Sequence, residues 1–472
     1  MGRAQQLYDR LPVLFQHAAI SAYGWYWKRL RLGGVFEPRL RDWLERESWS
    51  AARLADWQAE RLRQVLLKAW DSTALYRSLW ERAGLSRPRL ERLGPEDLPL
   101  LPVVRKEDLR VAPGGNWSGG LQSREVEYRR STSGSTGTPL SVGYSRAVWQ
   151  DIWAGVEARA YRWAGVSIRQ RRSMIGMRPV VSPLLTRPPF WRYNIFEHQI
   201  YLSLLHLTPA NVRHYRDALD AFRPVTMTGY SSAQSQLARL IAEAGLSVRS
   251  PRAVLATSDT LDDTTQALME KVFGAPVHQT WGQIENCAFA ATCGQGRLHL
   301  NPDFGIVEVL RADGSPCVPG ETGRLVATGL VNTTSLFVRY DTGDLGVLSG
   351  ASCPCGRDNF PVLESLVGRV EDEVTGANGV RMRRFDRFFT DWPQIRRAQV
   401  IQESPSLVRV LLERSGAAGD GCESQIAERI GLALGGLRVE VESVERITLP
   451  PGGKFRAVIN RSGAGAQPGR ES

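Results

Sequence analysis

Lysine is scarce in this chain. Of its 60 cationic residues only five are lysines (Lys28, Lys68, Lys106, Lys271 and Lys454), and 55 are arginines. Cysteine is scarce too: there are six in 472 residues, all from Cys287 onward, too few for a secreted disulfide scaffold. No uninterrupted apolar run reaches the ~18 residues that a transmembrane helix needs, so no membrane span is expected. The N-terminal stretch, interrupted by Asp9, Arg10, His17 and Lys28, lacks the charged-then-apolar order of a signal peptide, and the expected location is cytoplasmic. Basic clusters, zinc-finger spacings and aromatic–basic repeats are also missing. The net charge of +11 therefore reads as background, and no nucleic-acid partner is expected.

What is present fits a folded protein of more than one domain. Apolar residues make up 42% and charged residues 23%, and the length exceeds what one core holds, roughly 250–300 residues. Residues 40–83 carry an amphipathic helical period through Leu54, Trp57, Leu62, Val65 and Leu66, and 84–104 reads as an irregular connection. Helical segments at 148–164, 209–222, 231–245 and 261–273 then alternate with short strands at 224–229, 253–256 and 277–280. The expected fold class is α/β, with a large N-terminal domain holding parallel sheet. Short strands at 304–310, 323–328 and 336–340, separated by Asp-Gly, Pro-Gly and Asp-Thr-Gly turns, predict a β-rich subregion. A hairpin (398–403, 407–412), a helix (424–435) and a strand (438–447) predict a small C-terminal α+β domain. The Gly/Ser-rich tail, 461–472, is expected to be disordered. The run Trp25-Tyr26-Trp27-Lys28-Arg29 suits a membrane surface, but the plainer expectation is a helix packed on its own domain.

The most informative stretch is Ser131-Thr132-Ser133-Gly134-Ser135-Thr136-Gly137-Thr138-Pro139. Glycines allow close backbone approach, and hydroxyls and free N–H groups donate to anionic oxygens, so the stretch suits a clamp on a polyphosphate. It lacks the Lys-Ser/Thr of a Walker loop. A flexible linker is the alternative, but strand-like residues flank it on both sides.

The residue order here resembles the phosphate-clamping loop of the adenylate-forming enzymes (acyl-CoA synthetases, adenylation domains and luciferases). Four further stretches follow in that family's order: Trp281-Gly282-Gln283-Ile284-Glu285, Tyr340-Asp341-Thr342-Gly343-Asp344, Gly368-Arg369 with Asp372, and Pro451-Gly452-Gly453-Lys454. A finer resemblance is to the phenylacetate-CoA ligase-like branch, including the proteins named for capsular polysaccharide biosynthesis. It is carried by Leu98-Pro99-Leu100-Leu101-Pro102, Thr228-Gly229-Tyr230-Ser231 and Thr257-Ser258-Asp259-Thr260-Leu261.

The resemblance implies ATP-dependent activation of a small-molecule carboxylic acid as an acyl-adenylate, pyrophosphate release, and transfer to coenzyme A. An acyl-acceptor protein, an amine or a sugar hydroxyl is the alternative acceptor, and a non-catalytic relative the alternative of another class. It implies a domain at 1–368 and a small one at 369–460. Thr132, Ser133, Gly134, Ser135, Thr136, Gly137 and Thr138 would hold the phosphates, and Glu285 would hold Mg²⁺. Trp281 and Gly282 would flank the adenine or acyl pocket, and Asp344 would accept from the ribose hydroxyls. Arg369 would contact the ribose or α-phosphate, and Asp372 would lie at the hinge. Lys454 would stabilise the charge developing between carboxylate and α-phosphate as a compact cation. Ile284 stands where the family has Ser or Thr, Trp281 where Tyr is commoner, and Asp259 where the branch often has Glu. Cys293, His299, Cys353 and Cys355 suit a structural Zn²⁺ site in ligand type and number, with Cys287 an alternative to Cys293 and free thiols the alternative to a metal. His198 and His206 are read as packing residues.

Overall fold

The computed structural model describes residues 3–111, 126–131, 140–176, 178–258, 261–367, 373–382, 385–389, 391–392, 394–414, 421–445, 447 and 457–462. Three helices occupy the stretch expected as one: Phe36–Arg46, Ala51–Ser72 and Ala74–Arg82. The break before the middle helix is set by Ser50, whose side chain accepts from the Arg53 N–H as an N-cap. Its apolar stripe, Leu54, Leu62, Val65, Leu66 and Ala69, is buried. The connection that follows is less irregular than expected, with a short helix at Arg87–Leu90 and a 3₁₀ turn at Pro95–Leu100.

One twelve-stranded sheet runs through the larger part of the molecule. Five parallel strands lie side by side in the order Gln199–Ser203, Arg172–Gly176, Thr226–Tyr230, Ala253–Thr257 and Val277–Gly282, with Trp191–Asn194 antiparallel at the edge. The helices Val212–Phe222, Ser231–Glu243 and Asp263–Phe273 make the crossovers. The last is capped by Asp262 and ended by Gly274 at φ +61°. From Val277–Gly282 outward the sheet turns antiparallel, through Phe289–Thr292, Leu298–Leu300, Val362–Val367, Tyr340–Leu348, Thr322–Gly329 and Gly305–Leu310. The β-rich subregion thus continues the parallel sheet. The strand expected at 336–340 instead starts at Tyr340. Arg339 takes φ +46° and sends its guanidinium onto Glu308 (2.7 and 3.0 Å), which turns the chain just before the strand.

The N-terminal helices are tied to this sheet by a buried ion cluster. Asp303, fully buried, accepts from Arg46 Nε (2.9 Å) and Arg159 Nη2 (2.8 Å). A buried carboxylate needs such partners, since removing either leaves charge in a low dielectric.

Toward the C-terminus the described residues form a four-stranded sheet, ordered Arg438–Val444, Leu407–Arg414, Ile395–Ser404 and Val458–Asn460, covered by the helix Cys422–Ala433, with Val374–Thr375 and Arg381–Met382 paired as a small two-stranded sheet. Val400, Val408, Val410, Leu412, Ile426 and Ile430 form its core. Gln236 of the large part joins it, donating to Gly379 O (3.4 Å) and accepting from Arg381 N (3.2 Å). The expected boundary at 368–369 and the tail from 463 lie outside the described residues.

Candidate active site

Two carboxylates stand where strands of the large sheet meet. Glu285 follows the end of Val277–Gly282, is buried, and accepts from the Tyr340 hydroxyl at 2.8 Å through Oε1. Asp344, on the strand Tyr340–Leu348, accepts from Trp281 Nε1 at 3.1 Å. Each carboxylate is therefore aimed by a donor from the other motif. Trp281 is itself buried, opposite Ala290 in the antiparallel pairing. Gly282 faces Phe289 and Ala288 O so closely that a Cβ there would lie 3.3–3.4 Å from them. The buried thiol of Cys287 lies within electrostatic reach of both carboxylates. Burial and the negative charges of Glu285 and Asp344 push its pKa well above the ordinary thiol value.

The backbone around Glu285 is braced. Asn286 adopts φ +49° and donates to Ile284 O (2.8 Å) and to the Tyr144 hydroxyl (3.0 Å). Tyr144 donates in turn to Ile284 O. Asn332 donates to Glu285 O (3.4 Å) and accepts from the N–H groups of Thr334 and Ser335. Ile284 packs its side chain against the core, as an apolar residue in place of a hydroxyl must.

Tyr144 also belongs to the hairpin that carries the Gly/Ser/Thr stretch. Tyr128–Ser131 pairs antiparallel with Ser141–Tyr144, register Ser131↔Ser141, so both ends of that stretch are held together. Gly143 N donates to Ser335 Oγ (2.8 Å) and Ser145 N to Thr334 Oγ1 (3.0 Å), which fastens the hairpin beside Glu285. Thr132, Ser133, Gly134, Ser135, Thr136, Gly137 and Thr138 lie outside the described residues, as do Arg369, Asp372, Lys454 and Asp259.

Arg110 was not singled out by its sequence, which offers no signal beyond a basic residue at a helix end. The segment before its helix, Lys106–Val111, is bonded to the Tyr340 strand: Val104 N donates to Arg339 O and Asp341 N to Val104 O, both at 2.9 Å. Arg110 Nη1 donates to Glu107 Oε1 at 3.4 Å, while its Nε and Nη2 are buried with no hydrogen-bond partner among the described residues. Burial lowers its pKa, and the nearby acids Glu107 and Glu285 and the Tyr340 hydroxyl oppose that. A buried guanidinium with free N–H groups, within electrostatic reach of Glu285, is suited to an anion.

On the parallel half, Gly229 of Thr228-Gly229-Tyr230-Ser231 has φ +153°, and a Cβ would fall 2.2 Å from Ile175 O, so only glycine fits. His206 stacks on Phe190 (4.9 Å between rings) and bonds Ser203 Oγ (2.8 Å), in keeping with a packing role; burial lowers its pKa to about 4. His198 is exposed in a turn.

The four residues Cys293, His299, Cys353 and Cys355 come together, with all donor atoms within 4.8 Å of one another. Cys293 Sγ lies 3.8 Å from Cys353 Sγ, and Cys355 Sγ lies 3.5 Å from His299 Nε2. His299 Nδ1 faces Phe360 O at 2.6 Å, which leaves Nε2 turned to the sulfurs; this is how a ligating imidazole is held. Burial lowers the His299 pKa, keeping the ring neutral. Burial pushes the Cys353 thiol up to about 11. Burial opposes the net lowering of Cys355, which comes from the Arg357 N–H and neighbouring thiols. Three sulfurs and one nitrogen at this spacing fit a tetrahedral soft-metal set. Cys287 is not among them; its thiol faces Gln283 (3.7 Å). All six cysteines are free.

Comparison with known proteins gives the class first. The chain aligns with 2-hydroxyisobutyryl-CoA ligase in complex with 2-HIB-AMP and CoA in the thioesterification state, with a TM-score of 0.60 and 21% identity over 89% of this chain and 92% of that one. The same ligase in the postadenylation state aligns with a TM-score of 0.56 and 22% identity over 88% and 91%. The fold is that of the adenylate-forming ligases, which carry a small C-terminal domain. The branch follows from sequence. Residues 375–461 match the CapK C-terminal domain family. Protein CapK of Staphylococcus aureus is 23% identical over 96% of this chain and 98% of its own length. Phenylacetate-coenzyme A ligase of Thermus thermophilus is 25% identical over 70% and 73%. In fold the chain resembles the adenylate-forming ligases, and in sequence it is similar to protein CapK and to phenylacetate-CoA ligase. None of its helices, among the described residues, is long and apolar enough to cross a membrane.

Proposed function

We propose that this protein activates a carboxylic acid with ATP and transfers the acyl group to coenzyme A. The carboxylate oxygen attacks the α-phosphorus, the bond to the β-phosphate breaks, and pyrophosphate leaves. The thiol then attacks the acyl carbon, and the bond to AMP breaks. The observation that carries this reading is the pair of cross-motif hydrogen bonds, Tyr340 to Glu285 and Trp281 to Asp344, which fix two acceptor carboxylates on one wall.

Tyr340 takes one oxygen of Glu285 and leaves the other for Mg²⁺, a hard cation that favours carboxylate and phosphate oxygens and would neutralise polyphosphate charge. Asp344 accepts from ribose hydroxyls, with Trp281 holding its orientation and its ring flanking the nucleotide or acyl group. Residues 132–138 and Arg110 donate to the phosphates; the guanidinium offsets the hydroxyl that Ile284 lacks. Lys454 and Arg369 stabilise charge at the α-phosphate. Cys293, His299, Cys353 and Cys355 would hold a structural Zn²⁺, joining the strand Leu298–Leu300 to the turn that carries Cys353 and Cys355. The small domain, 369–460, brings Lys454 to the nucleotide.

The test is ATP–pyrophosphate exchange across a panel of carboxylic acids, followed by thioester formation with coenzyme A. Acid-dependent exchange that Lys454→Ala abolishes supports the reading. Exchange at the unsubstituted rate in that variant removes Lys454 from it, and no exchange with any acid points to a non-catalytic relative. A second reading keeps adenylation and changes the acceptor to a carrier protein, an amine or a sugar hydroxyl. The match of 375–461 to the CapK C-terminal domain favours it, and exchange without thioester formation would select it.

A further inference from the structure

The helix Val13–Leu32 turns an apolar face outward. Gly24, Trp27 and Leu30 face the protein together with Gln16, Ser21 and Arg31. Positions 14, 15, 18, 19, 22, 23, 25, 26 and 29 are exposed, and all but Arg29 are Leu, Phe, Ala, Tyr or Trp. An apolar helix face is normally the one that packs against a partner. Phe15 is 59% exposed, Tyr23 61%, Trp25 48% and Tyr26 54%.

The face does not end with the helix. Ile195 N donates to Ser21 Oγ and Lys28 Nζ to Phe196 O (3.0 Å), placing the exposed Ile195 and Phe196 alongside it. Tyr8 OH donates to Val180 O (2.7 Å), which brings up the loop bearing exposed Leu184. Among the described residues, nine of the thirteen exposed large apolar side chains lie in these two short stretches, 7–26 and 184–196. A concentration of this kind marks an interaction surface.

The charges around it have one sign. Arg10, Arg29, Arg178 and Arg187 are exposed, and Lys28 is half-buried. The two acids of 3–32 and 178–200 are withdrawn: Glu197 is buried against Arg31 and Arg172, and Asp9 is half-buried with its pKa raised by burial. Tyr and Trp pair an apolar ring with a polar tip, the combination that favours the headgroup layer, and the Arg29 guanidinium stacks on Trp25 at 5.0 Å.

We propose that this face docks in-plane on an anionic lipid bilayer, with Phe15, Trp25 and Tyr26 entering the headgroup–acyl boundary and Arg10 and Arg29 meeting lipid phosphates. The charge complementarity favours an anionic bilayer over a second copy of the chain, whose identical face would bring like charges together. The surface is independent of which acyl acceptor the site uses.

The test is co-sedimentation of the full chain with vesicles of phosphatidylglycerol and phosphatidylcholine, against vesicles of phosphatidylcholine alone. The chain binds the anionic vesicles, and high salt weakens the binding. Phe15→Ser/Trp25→Ser/Tyr26→Ser lowers the partition coefficient at least about tenfold. Arg10→Glu/Arg29→Glu lowers it by on the order of fivefold per cation or more. In the unsubstituted chain, brominated lipid quenches tryptophan fluorescence, which keeps the test informative if a variant misfolds. No binding and no quenching overturn the proposal. So does a dimer in sedimentation velocity that the triple substitution dissociates while vesicles bind nothing.

Discussion

The nucleotide wall and the cysteine–histidine cluster share a sheet and solve opposite problems. On the wall, each acceptor already has its donor, Tyr340 at 2.8 Å from Glu285 and Trp281 at 3.1 Å from Asp344. In the cluster, the Cys293 and Cys353 sulfurs lie 3.8 Å apart, the Cys355 sulfur lies 3.5 Å from the His299 imidazole, and four donors face one point. The wall is held in place by the protein's own hydrogen bonds, so its geometry exists before any nucleotide arrives. The cluster's four donor atoms converge on one point, and on the proposed reading its folding energy would be coupled to metal binding. On the proposed reading, charge reaches the wall from outside its strands, from Arg110 and Lys454, so substitutions there should change turnover and leave stability alone. Substitutions in the cluster should do the reverse.

The largest effect that sharpens this contrast is on the catalytic side. Lys454→Ala should slow acid-dependent pyrophosphate exchange by about a thousandfold with the thermal midpoint unchanged, since one preorganised charge at a reacting centre is worth about that much. On the other side, the purified protein should carry one zinc per chain by elemental analysis. Cys353→Ala should lose it and melt about 5 °C lower or more, while Glu285→Gln keeps it. A full zinc complement in Cys353→Ala would break the distinction. Tyr340→Phe removes only the hydroxyl that aims Glu285, and should cost about tenfold, seen mainly as a raised KM for Mg-ATP. Trp281→Phe keeps the ring and loses the N–H to Asp344; a loss of about threefold in kcat/KM for ATP is expected. An unchanged KM in both variants would mean that the wall's internal bonds do not position nucleotide ligands.

The sequence carried the parts of this picture that are local. Alternating periods located the three crossover helices and three of the five parallel strands, and missed Arg172–Gly176 and Gln199–Ser203. Five short stretches in a fixed order indicated the family before any coordinate was known. Ligand type, number and spacing, with the resemblance, singled out the four cysteine and histidine residues that the fold brings together. What escaped was relational. Tyr340 and Glu285 are 55 residues apart and Trp281 and Asp344 are 63 apart, so their pairing is a property of strand register rather than of either motif. Arg110 needed the bridge from Val104 to the Tyr340 strand before its free donors had meaning. The break at Ser50 was legible in principle, since a Ser before a helical period is a cap and the apolar period begins only at Leu54. Trp25-Tyr26-Trp27 divided in a way no composition shows: Trp27 went into the core and its two neighbours stayed outside.

The central claim is that a carboxylate attacks the α-phosphorus of ATP on this wall. It is tested most directly by isotope transfer with a carboxylic acid labelled with ¹⁸O in both carboxylate oxygens, run through a complete turnover with ATP and the acyl acceptor. The account predicts AMP carrying one ¹⁸O, because the attacking oxygen stays on phosphorus when the acyl carbon is taken by the acceptor. Unlabelled AMP, or label in inorganic phosphate beside ADP, would contradict it.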